Sequence, residues 1–190
     1  MKKRTSKTGG LVIISAPSGA GKTTIVRKLL SEGKRFKSSV SYTTRRPRRG
    51  ERNGKDYFFV RRSDFLKKKE NLFFLEWANV FGELYGTSEL FCTDLVRKGF
   101  SVILTIDVQG MRKVKRRLKG KVPIKTIFIM PPSLSVLRER LLGRRTDSER
   151  EIKKRLRIAK KEMKARREYD FVVVNKNIKN SIKQIKKILN

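Results

Sequence analysis

Four short stretches place apolar residues at consecutive positions: Leu11–Ser15, Val102–Ile106, Thr126–Met130 and Phe171–Val174. They are rich in β-branched residues and read as strands buried on both faces. Between and after them the apolar positions change to helical spacing. Ile25, Val26, Leu29 and Leu30 form one such face, and Leu134, Leu137 and Leu141 form a second after Pro131-Pro132. Ile152, Leu156, Ala159 and Met163 make a third, and Ile178, Ile182, Ile185 and Leu189 a fourth. Strands alternating with helices predict a parallel sheet joined by crossover helices. From Phe36 to Phe91 the texture differs: Ser39–Thr43, Tyr57–Val60, Phe73–Trp77 and Tyr85–Thr87 are short strand-like pieces. Arg/Gly-rich turns separate them, with one short helix near Ser63–Lys69, so this stretch reads as a small mixed lobe inserted after the first strand-helix unit.

Composition narrows the chemistry. A chain of 190 residues suits one α/β domain with a small insertion. The single cysteine, Cys92, excludes an internal disulfide framework and suits a reducing compartment. No apolar run approaches the roughly 18–20 residues of a membrane span. The basic N-terminus lacks the apolar stretch of a signal peptide, which points to a cytoplasmic protein. Fifty Lys and Arg against 17 Asp and Glu give a net charge of +33, but the basic residues are spread over nearly every segment. Such a surface predicts sequence-independent attraction to polyanions at low salt. There is no histidine, which removes Ser-His-Asp and Cys-His hydrolysis, histidine metal sites and phosphohistidine chemistry.

The most informative stretch is Leu11–Thr24, LVIISAPSGAGKTT. An apolar strand runs into a turn ending Gly21-Lys22-Thr23-Thr24, followed directly by an amphipathic helix. This is the spacing of a phosphate loop, G-x-x-x-x-G-K-[ST], with Ala16 in place of the first glycine. The candidate ATP-binding segment is therefore Ala16, Pro17, Ser18, Gly19, Ala20, Gly21, Lys22, Thr23 and Thr24. Amides of Ser18 to Lys22 can face a β-phosphate, Lys22 can reach the β/γ oxygens, and Thr23 is placed to coordinate Mg²⁺. The plainer alternative, a flexible loop with a solvated lysine, leaves the strand before it and the apolar helix after it unexplained.

A second constellation lies at Val40–Val60. Arg45 and Arg48 flank Pro47, so a stiff turn holds two guanidinium forks suited to a phosphate, and Tyr57 can add a hydroxyl. Alone, this reads more simply as a basic hairpin loop with a core tyrosine. Two further segments follow, FLEWANVFGELYGTS at Phe74–Ser88 and ILTIDVQG at Ile103–Gly110. With the phosphate loop, these resemble the guanylate kinase family over about residues 10–178, in the family's order and spacing.

The resemblance implies a three-layer α/β/α P-loop NTPase fold with a parallel central sheet, an inserted mixed GMP-binding lobe and a short lid. It implies a basic arm at 1–9, a core at 10–35 and 92–190 with the lid at about 138–155, and the lobe at 36–91. The implied reaction is ATP plus GMP (or dGMP) giving ADP plus GDP, with Mg²⁺ accompanying ATP. By the same resemblance, Arg45, Arg48, Tyr57 and Tyr85 hold the GMP phosphate, and Ser41, Glu76, Thr87 and Asp107 face guanine. Arg144 and Arg155 act with Lys22 on the phosphates being transferred, and Asn175 lies near the donor adenine.

Chemistry agrees with that implication. Guanine presents two adjacent N–H donors to a carboxylate such as Glu76, whereas adenine would leave the carboxylate unpaired. A GMP phosphate, with its second pKa about 6, attacks without a general base, which suits a chain lacking histidine. Two positions depart from the family pattern. Thr105 stands where many relatives carry an acid supporting Mg²⁺, and Arg145 replaces a lid glycine. Two other classes compete: an inactive interaction module of the same fold, against which the intact Gly21-Lys22-Thr23 speaks, and a nucleic-acid-binding ATPase suggested by the charge.

Overall fold

The computed structural model describes residues 9–33, 35–48, 50–80, 82–143 and 148–189. Its larger sheet contains β1 (Gly10–Ser15), β2 (Phe36–Ser38), β7 (Ser101–Leu104), β8 (Ile124–Met130) and β9 (Phe171–Val174) in the order β2-β7-β1-β8-β9. Register is parallel where β2 meets β7 and where β8 meets β9. The smaller sheet contains β3 (Tyr42–Thr43), β4 (Phe58–Phe59), β5 (Phe74–Val80) and β6 (Glu83–Ser88), ordered β4-β3-β6-β5. It is mixed: β3–β4 is parallel, and β6 is antiparallel to both β3 and β5. Seven α-helices are described: α1 (Lys22–Glu32), α2 (Arg62–Glu70), α3 (Glu89–Arg97), α4 (Val108–Leu118), α5 (Leu134–Leu142), α6 (Glu149–Lys164) and α7 (Ile178–Leu189). The result is an α/β fold with a parallel central sheet.

The chain divides into two compact units. One gathers Arg35–Leu104 and Gln109–Ile124 with the chain up to Leu11; the other gathers Val12–Lys34, Thr105–Val108 and Lys125–Asn190. In the first, Phe65, Phe74 and Leu84 form a buried cluster under Tyr42, Val60, Phe73 and Trp77, with the Phe65 and Phe74 rings stacked at 4.4 Å. Gly86 is required there, because a Cβ on it would meet the Phe74 ring at 2.8 Å. The same unit ties α4 to β5 by its basic side chains. Lys113 Nζ donates to the Trp77 carbonyl, and Arg117 donates to those of Phe74 and Leu72, on either side of Glu76. In the second unit, Leu137 and Leu141 of α5 pack on Ile152 and Ala159 of α6. A capping box between Ser148 and Glu151 starts α6, satisfying amides that would otherwise lack partners.

Four features differ from expectation. Strand β9 is not buried on both faces: Val173 is buried, but Phe171, Val172 and Val174 are exposed because β9 is the last strand of the sheet. Strand β7 ends at Leu104, so Thr105 lies beyond it and is exposed rather than inside the sheet. Phe36–Ser38 pairs with β7, not with the strands of the smaller sheet. Helices α3 and α4 had no counterpart in the apolar pattern. The inward residues of α4, Met111, Val114 and Leu118, are diluted by the Arg and Lys between them. Among the described residues no helix is long and apolar enough to cross a membrane.

Candidate active site

Strand β1 delivers the chain into the loop Ala16–Gly21, and α1 begins at Lys22. The loop turns where the Ala20 amide donates to the Pro17 carbonyl, and the Gly21 carbonyl accepts the first helical bond, from Ile25. Gly19 and Gly21 have φ of 92° and 93°, a region that disfavours a side chain. Ala16 has no such requirement: Leu72 is the one non-glycine with positive φ among the described residues. Alanine is therefore accommodated where the motif usually has glycine. Thr23 and Thr24 are exposed on the first turn of α1, and the Ser18 hydroxyl accepts from Arg155 Nη1 at 3.1 Å.

Burial pushes the Lys22 ammonium below its ordinary pKa, while Glu162 and then Asp107 work in the opposite direction. Glu162 is itself raised by burial, against the pull of Lys22. A cation and two carboxylates thus share one region of the second unit. Asp107 is exposed in the turn between Thr105 and α4.

A cavity of about 670 Å³ opens beside the loop, lined by Gly19, Gly21, Lys28, Arg140 and the segment Asn175–Lys179. Asn175 is 2 % exposed. Its side-chain amide donates to the Ala20 carbonyl at 2.8 Å, and its backbone carbonyl accepts from Arg140 Nη2 at 2.9 Å. Arg140 Nη1 is buried with no hydrogen-bond partner among the described residues.

In the first unit, β5 and β6 place Glu76 opposite Thr87. The Thr87 hydroxyl donates to Glu76 Oε1 at 2.8 Å, and Ser41 Oγ lies 3.4 Å from Thr87 Oγ1. Since the single Thr87 proton goes to Glu76, Ser41 is the donor in that second contact. Glu76 is 6 % exposed and Thr87 fully buried, so three residues separated widely in sequence meet in one polar row.

Beside them Arg45 Nη2 donates to both carboxylate oxygens of Glu51 at 2.9 Å, while Nη1 donates to the Arg46 carbonyl. The guanidinium lies 5.6 Å from the Tyr57 ring centre, and Tyr57 meets Tyr85 edge-on at 5.9 Å. Burial alone would lower the Arg45 pKa, but the bonds to Glu51 and Tyr85 outweigh it and raise it. The Arg48 amide donates to Glu51, the largest of the causes that hold the Glu51 carboxyl below its usual range. The Arg48 side chain is exposed. Burial raises the Tyr57 phenol, so it is a neutral donor at ordinary pH.

Ser41, Glu76 and Thr87 thus come together, as do Arg45, Tyr57 and Tyr85 with the Arg48 backbone. Ser18, Arg155, Lys22, Asp107 and Asn175 belong to the second unit. Arg144, with Arg145 and the middle of the expected lid, lies outside the described residues. Four residues were missed from sequence: Glu51, Glu162, Arg140 and Ser181. The Gly50-Glu51 pair after the Arg-Pro turn was a usable signal for Glu51, since a carboxylate among three arginines needs a partner. Glu162 and Arg140 act on groups remote in the chain, whereas Ser181 bonds Asn175 and Asn177 close by but carries no motif to mark it.

A family model described as guanylate kinase matches residues 8–190. A guanylate kinase of Wolbachia sp. subsp. Brugia malayi is 46% identical over 181 residues, covering 95% of this chain and 92% of that protein. One from Geobacter sulfurreducens is 43% identical over 183 residues, covering 96% and 89%. The crystal structure of guanylate kinase from Anaplasma phagocytophilum superposes with a TM-score of 0.78 at 37% identity, covering 96% of this chain and 85% of that one. With its phosphate loop and its carboxylate-bearing lobe, the chain belongs to the guanylate kinase family and is an enzyme converting ATP and GMP into ADP and GDP.

Proposed function

We propose that guanine is selected by the Ser41–Thr87–Glu76 row and that the GMP phosphate is taken by Arg45, Arg48, Tyr57 and Tyr85. The observation carrying this reading is the buried Glu76 carboxylate, oriented by the Thr87 hydroxyl. A carboxylate in a dry site pairs with the two adjacent donors of guanine and rejects a base that lacks them. Asp107 adds a second acid toward the base in this reading, and dGMP is expected as a weaker acceptor than GMP. The test compares GMP, dGMP and AMP as acceptors. GMP and dGMP turnover with little from AMP is expected, and comparable AMP rates would refute it.

The donor triphosphate is taken by the amides of residues 18–22 and by Lys22, with Arg155 and Arg144 neutralising charge on the phosphoryl in flight. Arg155 already rests on Ser18 of the loop. The acceptor phosphate is dianionic near neutral pH and needs no base. These residues therefore align, neutralise and exclude water rather than move a proton.

The oxygen donors present fit Mg²⁺. Thr23 offers an exposed hydroxyl at the start of α1, while no His/Cys/Asp/Glu cluster that could hold a metal ion occurs among the described residues. That sparse set suits an ion that keeps its waters and binds mainly through substrate phosphates. Thr23 would hold the ion, which would supply charge neutralisation to the donor's phosphates.

The protein is read as cytoplasmic, with polyanion attraction a by-product of its charge. RNA is expected to bind weakly at low salt, with log affinity falling linearly with log salt. It should not stimulate GMP phosphorylation at physiological ionic strength; stimulation there would instead favour a nucleic-acid-dependent ATPase.

A further inference from the structure

Asn175 stands where family resemblance suggests a neighbour of the donor adenine, yet its side chain is engaged elsewhere. Its backbone is fixed first: the amide donates to the Met130 carbonyl at 2.8 Å, extending the β8–β9 ladder by one bond, and the carbonyl receives Arg140. The carboxamide then bridges two elements. Nδ2 donates to the Ala20 carbonyl at 2.8 Å, and Oδ1 accepts from the Ser181 hydroxyl on α7 at 3.1 Å. That hydroxyl is also 3.0 Å from the Asn177 carbonyl, so its proton is shared between two acceptors. The partners dictate the amide's orientation, because a flipped carboxamide would set oxygen against the Ala20 oxygen. Ser181 and Asn175 are each 2 % exposed, so neither bond competes with bulk water.

The target of this bridge matters more than its strength. All described peptide bonds are trans, and in a planar trans peptide the carbonyl and the following N–H point in opposite directions. Pulling the Ala20 carbonyl toward Asn175 turns the Gly21 N–H the other way, away from Asn175. Gly21 has φ of 93°, and a Cβ there would stand 2.4 Å from Asn175 Nδ2. The carboxamide is thus packed directly against the peptide that precedes Lys22. From this we infer that Asn175, steadied by Ser181, is a positioning residue that holds the 20–21 peptide with its amide presented to the donor's phosphates. The inference rests on the phosphate-loop reading of residues 16–23.

A base-contacting Asn175 and a loop-positioning Asn175 predict different losses. The probe is inorganic tripolyphosphate with Mg²⁺, which carries no base, titrated into the full chain by calorimetry. Asn175→Asp is nearly isosteric but sets a carboxylate against the Ala20 carbonyl. It is expected to weaken tripolyphosphate binding about 10- to 100-fold, the scale of an ångström-level misplacement at a reacting site. The KM for ATP should rise with it, whereas the KM for GMP should not move. Ser181→Ala removes one buried hydrogen bond and should weaken tripolyphosphate in the same direction, about three- to tenfold. Unchanged tripolyphosphate binding in folded Asn175→Asp, with loss confined to nucleotides, would overturn the inference. If Asn175→Asp does not fold, Ser181→Ala decides by the same criterion. Lys22→Ala is the control: if it too leaves tripolyphosphate binding intact, the phosphate-loop reading itself has failed.

Discussion

As proposed above, the donor side and the acceptor side of this enzyme are built by opposite means. On the donor side a contiguous stretch, Ala16 to Thr24, offers backbone amides and one lysine, and its shape is fixed by two glycines at positive φ. On the acceptor side the proposed residues lie mainly between Ser41 and Thr87, with Asp107 farther along the chain, and recognise through side chains, those on the smaller sheet being brought together by its register. Backbone recognition suits a phosphate chain, which every nucleoside triphosphate carries. Side-chain recognition suits a base, which must be told apart from others. The contrast predicts that donor-side lesions abolish turnover whatever the acceptor, whereas acceptor-side lesions alter selectivity.

The largest effect is expected from Lys22→Ala. Loss of the cation at the transferred phosphoryl should lower kcat by about 10³-fold or more, equally for GMP and dGMP. Glu76→Gln comes next: it keeps shape but replaces one acceptor with a donor. GMP kcat/KM should fall by about 10²- to 10⁴-fold while ATP binding stays within twofold in calorimetry. A matching loss of ATP binding would erase the contrast between the two sides.

Arg45→Ala should raise the KM for GMP and lower kcat together, by about 10- to 100-fold overall. Glu51→Gln should follow it with a smaller loss, because the Glu51 carboxylate holds the Arg45 fork. Normal GMP kinetics in both variants would show the Arg-Pro turn to be purely architectural. A smaller shift is expected from Thr105→Asp. Since Thr105 is exposed, an acid there costs little desolvation, and half-maximal rate should need several-fold less free Mg²⁺. No change in that titration would give the position no metal role.

The smallest effect concerns alkaline stability and touches both units. Burial pushes the Cys92 thiol from 9.0 up to about 12 and the Tyr169 phenol from 10.0 up to about 12. Between each ordinary value and about 12 the unfolded chain has released a proton that the folded chain keeps. Stability therefore falls as pH rises through that window, beginning near 9 for Cys92. Urea midpoints should decline from pH 9 to 10, and Cys92→Ala should flatten that decline.

Where chemistry and local pattern coincided, the sequence was readable. The phosphate loop is contiguous, and its strand and helix are marked by apolar spacing on both sides, so β1, the loop and α1 appear as expected. Helix α2 and the strand pieces of the smaller sheet were also legible, because aromatic residues alternate with turns there. Legibility failed where long-range geometry decides. Phe36–Ser38 looks like part of an inserted segment, but its pairing partner is Ser101–Ile103. Phe171–Val174 has the composition of a central strand and occupies an edge. Helix α4 was concealed by charge density. In the site, Glu76 and Thr87 could be named from motif resemblance, but their hydrogen bond follows from β5–β6 register. The reach of Asn175 to Ala20 spans nearly the whole chain and has no local signature.

The exposed edge strand gives the surplus charge a colloidal meaning. Strand β9 ends the larger sheet with Phe171, Val172 and Val174 open to solvent, a template on which another chain's backbone can pair. Two molecules each carrying +33 repel strongly before such edges meet, so the charge acts as a barrier to self-association. Added salt shortens that barrier to about 3 Å at 1 M. Light scattering should therefore show this protein monodisperse in dilute buffer and self-associating as ionic strength rises. Val172→Lys should restore dispersity at high salt without altering the kinetics of either substrate.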